Sequence, residues 1–189
     1  MITPREYFQY LKTRSFKSYL YRILFLYPKI SRQLIGNVLD IGCGIGDFLI
    51  YYKKGFGVDI NKDCVEFCQS KNLNVTHFEN NIPFKDSYFD SAILDNVLEH
   101  ISEPFRLLVE SKRILKNNGI LVVGVPGLKG FSLDNDHKKF YSPNDLDKLI
   151  SSHGFTKINY FFSPFKSDFL DKNLSFYAYY GFFKKNPVR

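Results

Sequence analysis

A chain of 189 residues, 44% hydrophobic and with a net charge of +7, has room for one domain with a sizeable core and small additions, not for two. It holds no run of 18 apolar residues, which excludes a spanning helix, and its first residues lack the apolar block and cleavage site of a signal peptide, so a cytoplasmic protein is expected. Its three cysteines, Cys43, Cys64 and Cys68, are an odd number for a disulfide framework. Cys64 and Cys68 have no His or Cys partner in zinc-site register, so no metal is expected and the thiols read as small buried residues.

Charge is concentrated at the start, where residues 1–36 carry seven Lys/Arg against Glu6 alone. Thr3-Pro4-Arg5-Glu6 predicts a helix start, with Thr3 as cap, Pro4 at the first helical position and Glu6 closing a capping box. Phe16, Tyr19, Leu20, Ile23, Leu24 and Tyr27 then form one apolar stripe at helical spacing, with Lys17 and Arg22 off it, and Pro28 is expected to stop the helix. The stripe has two readings. It packs on the domain or lids a ligand crevice, or its basic, aromatic face touches a membrane surface or an anionic, lipid-linked substrate. Residues 1–35 are accordingly read as an N-terminal helical extension or lid, and 36–189 as the main domain.

Val38-Leu39-Asp40-Ile41 followed by Gly42-Cys43-Gly44-Ile45-Gly46 reads as a buried strand and a tight turn into a helix over 46–53. Such a turn, at the end of a parallel strand, faces a ligand crevice. Dinucleotide folds space their glycines as Gly-x-Gly-x-x-Gly, whereas here the spacing is Gly-x-Gly-x-Gly. Asp40 inside the turn repels a pyrophosphate and attracts a sulfonium or ammonium group. A second strand ends in Asp59-Ile60, 19 residues beyond Asp40, where a carboxylate accepts hydrogen bonds from ribose hydroxyls; Asn61 serves as cap of the helix over 61–70 and leaves Asp59 free.

A strand over 73–78 precedes Glu79-Asn80-Asn81-Ile82-Pro83-Phe84, and a further apolar strand, 91–94, ends in Asp95-Asn96-Val97-Leu98-Glu99-His100. Pro104 opens an amphipathic helix carrying Leu107, Leu108, Ser111, Ile114 and Leu115, which Asn117-Asn118-Gly119 is expected to cap. The continuous apolar run 120–125 predicts a central strand, and the alternation up to it predicts a parallel sheet with helices on both faces. Residues 126–141 read as a long loop without period; Ser142 and Pro143 start a helix that Gly154 ends. Segments 155–162 and 173–184 read as two final strands.

The stretch from Asp40 to Gly46 resembles the first motif of the class I S-adenosylmethionine-dependent methyltransferases, Asp/Glu-x-Gly-x-Gly-x-Gly, and the block from Glu79 to His100 resembles the branch that includes ubiquinone and menaquinone biosynthesis enzymes. The likeness covers about residues 36–186 and implies a Rossmann-like, seven-stranded, mostly parallel sheet with a C-terminal antiparallel hairpin. It further implies S-adenosylmethionine as cofactor, with S-adenosylhomocysteine as product. Asp40, Gly42, Cys43, Gly44 and Gly46 are then its turn contacts, and Asp59 its ribose contact with Ile60 alongside. One of Glu79, Asn80 or Asn81 reads the adenine amine in place of the family's usual Asp, and Asp95 and Asn96 face the methyl donor.

Methyl transfer to a hydroxyl needs a proton acceptor, which an amine or activated carbon does not. His137, beside an Asp136 able to orient its ring, is the expected base, with His100 and Asp95 as alternatives. An Asp-His pair before an aromatic-Ser helix start also resembles methyltransferases acting on sugars, quinone precursors and other small molecules. Glu99-His100 reads either as a structural helix-terminus pair or as ligand-facing, and Lys129, Lys138 and Lys139 suit an anionic acceptor or are solvated. A second reading is a methyltransferase fold without turnover whose basic N-terminus docks nucleic acid or membrane. Nothing beyond charge supports nucleic acid, and a nicotinamide oxidoreductase fails on glycine spacing.

Overall fold

The computed structural model describes residues 3–13 and 15–187. Helix α1 (Pro4–Lys12) starts as the capping box requires, Thr3 Oγ accepting from the Glu6 amide and Glu6 accepting from the Thr3 amide. Helix α2 (Phe16–Tyr21) runs through a π-helical turn (Arg22–Leu26) into α3 (Tyr27–Ser31). Pro28 therefore does not stop this helix. Its missing N–H and bulky ring are accommodated by the widened turn before it, in which the Tyr27 amide donates to the Arg22 carbonyl.

Strand β1 (Val38–Ile41), α4 (Asp47–Tyr52), β2 (Gly55–Asp59), α5 (Lys62–Ser70) and β3 (Val75–His77) form two parallel crossovers. Strand β4 (Phe89–Asp95), a 3-10 turn (Leu98–His100), α6 (Phe105–Ile114) and β5 (Leu115–Pro126) follow. The expected helix cap at Asn117-Asn118-Gly119 lies inside β5. Leu115 already pairs with Phe89, and the next pair is Ile120 with Ser91, so the two Asn and the Gly bulge out of the strand with Asn118 at φ 63°. Residues 126–141 are not structureless, since α7 (Leu128–Leu133) occupies their first half. Helix α8 (Pro143–Ser152) is capped by Ser142, and β6 (Phe155–Ser163) leads to α9 (Asp168–Asn173), capped by Ser167. The last strand, β7 (Ala178–Lys185), begins five residues later than the sequence pattern indicates, because α9 keeps Asn173 and a turn, in which the Tyr177 amide donates to the Leu174 carbonyl, takes residues 174–177.

The seven strands lie in the order β3-β2-β1-β4-β5-β7-β6, with β7 antiparallel to both β5 and β6 and the other pairings parallel. One face of the sheet packs Leu108 and Ile114 of α6 and Leu146 and Ile150 of α8; the other packs Tyr27, Ile30, Phe48 and Cys68 from α3, α4 and α5. Chain order reverses between β1 and β4, so their C-terminal ends diverge there and open a crevice. No helix among the described residues is long and apolar enough to cross a membrane.

Candidate functional site

Gly42, Gly44 and Gly46 all hold positive φ, at 73°, 53° and 78°, which lets the chain turn sharply from β1 into α4. The turn is tied to the neighbouring strand. The Gly42 amide donates to the Val58 carbonyl at 2.8 Å, and the Gly44 amide to Asp59 Oδ2 at 2.7 Å. Asp59 Oδ1 accepts from the Asn61 amide at 2.8 Å, while the Asn61 side chain caps α5 and donates to the Pro4 carbonyl at 2.6 Å. Asp59 thus stands at the tip of β2 as the spacing from Asp40 predicts, but it is not left free: each of its oxygens already accepts a main-chain amide, and helix α1 is hung over it.

Above this turn lies a cavity of about 330 Å³. Asp40, Asp47, Asp59, Asp95 and Asp136 line it, with Arg22 and Lys138 as the facing cations. Burial pushes the Asp40 carboxyl well above its ordinary range, and Asp95, Asp59 and Asp47 push it further, with Arg22 acting against them. Burial also raises Asp59, partly offset by the amides of Asn61 and Gly44. Five carboxylates lining one cavity are relieved by a cationic ligand. Cys43 and Ile60 complete the floor, and Thr3, Pro4, Tyr7 and Leu11 of the N-terminal segment form the roof. Glu79, Asn80 and Asn81 are exposed and do not line this cavity. The block they head is organised by Arg113, which donates to the carbonyls of Ile82 and Phe84 and to Glu110.

A second cavity, of about 280 Å³, shares Tyr7, Arg22, Asn96 and His100 with the first. The wall between them is built around Asp95. Its Oδ2 accepts from Arg22 at 3.1 Å, and its Oδ1 from the Tyr180 hydroxyl at 2.6 Å and Asn96 Nδ2 at 3.0 Å. Tyr180 reaches Asp95 because its ring lies flat over Gly124 of β5, where a Cβ would come within 2.2 Å of it. Asp95 is therefore engaged by three donors rather than free, and Arg22 and Tyr180 are site residues that sequence spacing does not reveal.

His137 lines the second cavity and not the first. The amides of Lys138 and Lys139 both donate to the Glu99 carbonyl, at 2.7 and 3.1 Å, which brings this loop onto the 3-10 turn and the His137 imidazole beside the Glu99 carboxyl and the His100 ring. Its Nδ1 bonds the Phe131 carbonyl at 2.9 Å and its ring stacks on Phe131. The expected orienting role of Asp136 is not seen, since Asp136 instead faces His100, at 3.4 Å from Nδ1. His100 is held low by burial and then by His137, against Asp134 and Asp136. Glu99 is 1% exposed, and burial pushes its carboxyl up to about 8. The Glu99-His100 pair thus faces a cavity rather than serving only as a helix terminus.

The methyltransferase domain family matches residues 39–123, which span β1 to β5. An uncharacterized protein of Methanocaldococcus jannaschii is 29% identical over 150 residues, covering 72% of this chain and 73% of the relative. A second uncharacterized protein of that organism is 35% identical over 56% of this chain. A probable S-adenosylmethionine-dependent methyltransferase of Mycobacterium tuberculosis is 26% identical over 65% of it. Each of the latter two matches covers only 49% of the relative. In structure, an S-adenosylmethionine-dependent methyltransferase of Thermotoga maritima, a possible histamine N-methyltransferase, superposes with a TM-score of 0.77 at 23% identity, over 97% of this chain and 98% of its own. The cyclase SpnF superposes with a TM-score of 0.67 at 17% identity, over 86% and 80%. The fold is therefore the Rossmann-like methyltransferase fold, and S-adenosylmethionine is the cofactor that the matched domain and this fold imply. The residues present fit it. The acidic cavity answers a sulfonium and an ammonium, Asp59 stands where ribose hydroxyls belong, and Gly42 and Gly44 bring the main chain to the cavity; the expected contact at Gly46 is not seen, because Gly46 lies outside the lining, against Leu73 and Cys68.

Proposed function

We propose that this chain is an S-adenosylmethionine-dependent methyltransferase whose acceptor is a small molecule bearing a hydroxyl, such as a sugar, glycolipid or quinone precursor. The observation that carries the reading is the second cavity, which adjoins the acidic one across Asn96 and His100 and holds His137. A space of this size suits a small molecule or the head of a larger one.

When bound, the cofactor supplies an electrophilic methyl group whose displacement disperses charge and depends on positioning and dry surroundings. Asp40 and Asp59 hold the charged and hydroxylated ends in the first cavity, and the tethered Asp95 keeps Asn96 and Arg22 at the passage. The Phe131 carbonyl can only accept, so it fixes the hydrogen of His137 on Nδ1 and leaves the Nε2 lone pair to take the acceptor's proton. Tyr21 and Phe176 pack at 4.8 Å on the rim of the second cavity, where Phe25 and Phe176 are exposed; this apolar rim, in a chain whose first 36 residues are strongly basic, supports an anionic or lipid-linked acceptor.

Calorimetry with S-adenosylhomocysteine, followed by labelling of fractionated lipid and saccharide extracts with a radioactive methyl donor, tests the reading. Asp59→Ala is expected to weaken product binding by about tenfold or more, the loss of charged hydrogen bonds. His137→Ala is expected to keep that affinity while lowering turnover about 100-fold or more. Absence of product binding, with salt-dependent retention on DNA or anionic vesicles, would replace the enzyme by a binding module.

A further inference from the structure

Neither carboxylate oxygen of Glu99 has a hydrogen-bond partner among the described residues, and the same holds for His100 Nδ1 and the Tyr141 hydroxyl. Buried polar atoms left this way are destabilising, so several in one place require a cause. They converge. One ligand atom from each of Glu99, His100 and His137 lies within 4.8 Å of the others, with His137 Nε2 3.9 Å from Glu99 Oε1. Asp134 Oδ2 stands 3.9 Å from the same nitrogen and Asp136 Oδ2 3.4 Å from His100 Nδ1, adding negative charge around the cluster.

We propose that Glu99, His100 and His137 form a binding site for one divalent transition-metal ion, in the wall of the acceptor cavity. Two imidazoles and a carboxylate select Mn²⁺, Fe²⁺, Co²⁺ or Zn²⁺ over Mg²⁺ and Ca²⁺, which take oxygen ligands. At metal–ligand bonds of about 2.1 Å, neighbouring ligands stand about 3–3.5 Å apart, so the observed separations close by an ångström or so through side-chain rotation. The orientation is prepared in advance, because the Phe131 carbonyl holds the Nδ1 hydrogen of His137 and turns its Nε2 lone pair inward. Three protein ligands leave coordination positions open on the cavity side. An acceptor hydroxyl bound there gives up its proton to solvent at lower pH, and His137 is then a ligand, its role as base belonging to the ion-free protein. The chain spacing of Glu99-His100 and His137 matches no zinc pattern; only the fold brings them together.

The test is a calorimetric titration of the chelator-treated full chain with Zn²⁺, Mn²⁺ and Mg²⁺, with S-adenosylhomocysteine affinity measured in parallel. One equivalent of Zn²⁺ or Mn²⁺ is expected, with Mg²⁺ at least tenfold weaker, and Glu99→Gln and His137→Asn should each weaken the transition metal at least tenfold. No uptake by the unaltered chain, or equal affinity in both variants, overturns the site. The visible spectrum of the Co²⁺-loaded unaltered chain gives a check independent of variant folding: nitrogen-ligated bands support the site, and the spectrum of aqueous Co²⁺ overturns it. Product binding without ion uptake removes the ion site alone. Ion uptake without product binding removes the methyl-transfer reading alone.

Discussion

Glu99 is the residue whose chemistry is most altered by its surroundings. Its carboxyl stands at about 8, against 4.5 in the unfolded chain, because burial disfavours the charge and Asp95 and Asp134 add to it. Between those values the folded state holds a proton that the unfolded state has lost, so stability falls as pH rises from about 4.5 through 8 and is level above. Chelator-treated protein should show this slope in urea unfolding, amounting to a few kcal/mol, and Glu99→Gln, which mimics the protonated acid, should flatten it. Gly46 is constrained in the opposite way, by shape alone. At φ 78° it begins α4, and a Cβ there would meet Leu73 Cδ1 at 2.6 Å and Cys68 Sγ at 3.0 Å. Gly46→Ala is expected to cost about 2 kcal/mol or more in unfolding free energy, from the left-handed backbone and the overlap together.

At the scale of elements, the N-terminal helices are walls of the site. Leu11 of α1, 2% exposed, and Tyr27 of α3, 1% exposed, both line the first cavity, and Asn61 ties the start of α1 to the cap of α5. The π-turn presents Arg22 to Asp95, so this long helix is locked to the end of β4. Short α1 rests on few such anchors. Leu11→Ala removes about 2–4 kcal/mol of packing, which exceeds what a nine-residue helix keeps by itself. The expected result is local release, read as earlier proteolysis within residues 3–13 and weaker binding of S-adenosylhomocysteine, with the thermal midpoint of the sheet moved much less.

For the whole molecule, charge and apolar surface coincide at one end. The net charge of +7 is concentrated in the first 36 residues; Phe16, Leu24 and Phe25 of that segment are exposed, and Phe25 joins Phe176 beside the second cavity through the ring of Tyr21. Vesicles containing anionic lipid are expected to retain the chain in flotation at low ionic strength, with retention falling as salt rises, and neutral vesicles to retain little. Phe25→Asp should reduce retention while leaving S-adenosylhomocysteine affinity intact. Equal retention on neutral and anionic vesicles would dissociate the basic segment from any lipid surface.

What could be read from residues alone is what near neighbours in the chain decide. The caps at Thr3, Asn61 and Ser142, the apolar strand runs, the positive φ at Gly42, Gly44 and Gly46, and the carboxylates closing β1, β2 and β4 all depend on local backbone sterics and hydrogen bonding. The alternation of strands and helices gave the parallel sheet, and the family resemblance added its seven-stranded form and the cofactor's identity. The tertiary structure alone decided the second cavity, where Arg22, Asp95 and Tyr180 join across separations of 73 and 85 residues, and where the backbone of Lys138 carries His137 to Glu99. It also left Glu79, Asn80 and Asn81 exposed outside the first cavity, and it buried the Glu99 carboxyl without a hydrogen bond among the described residues. Desolvation and convergence of this kind arise only when distant segments are packed together, so no periodicity or spacing encodes them.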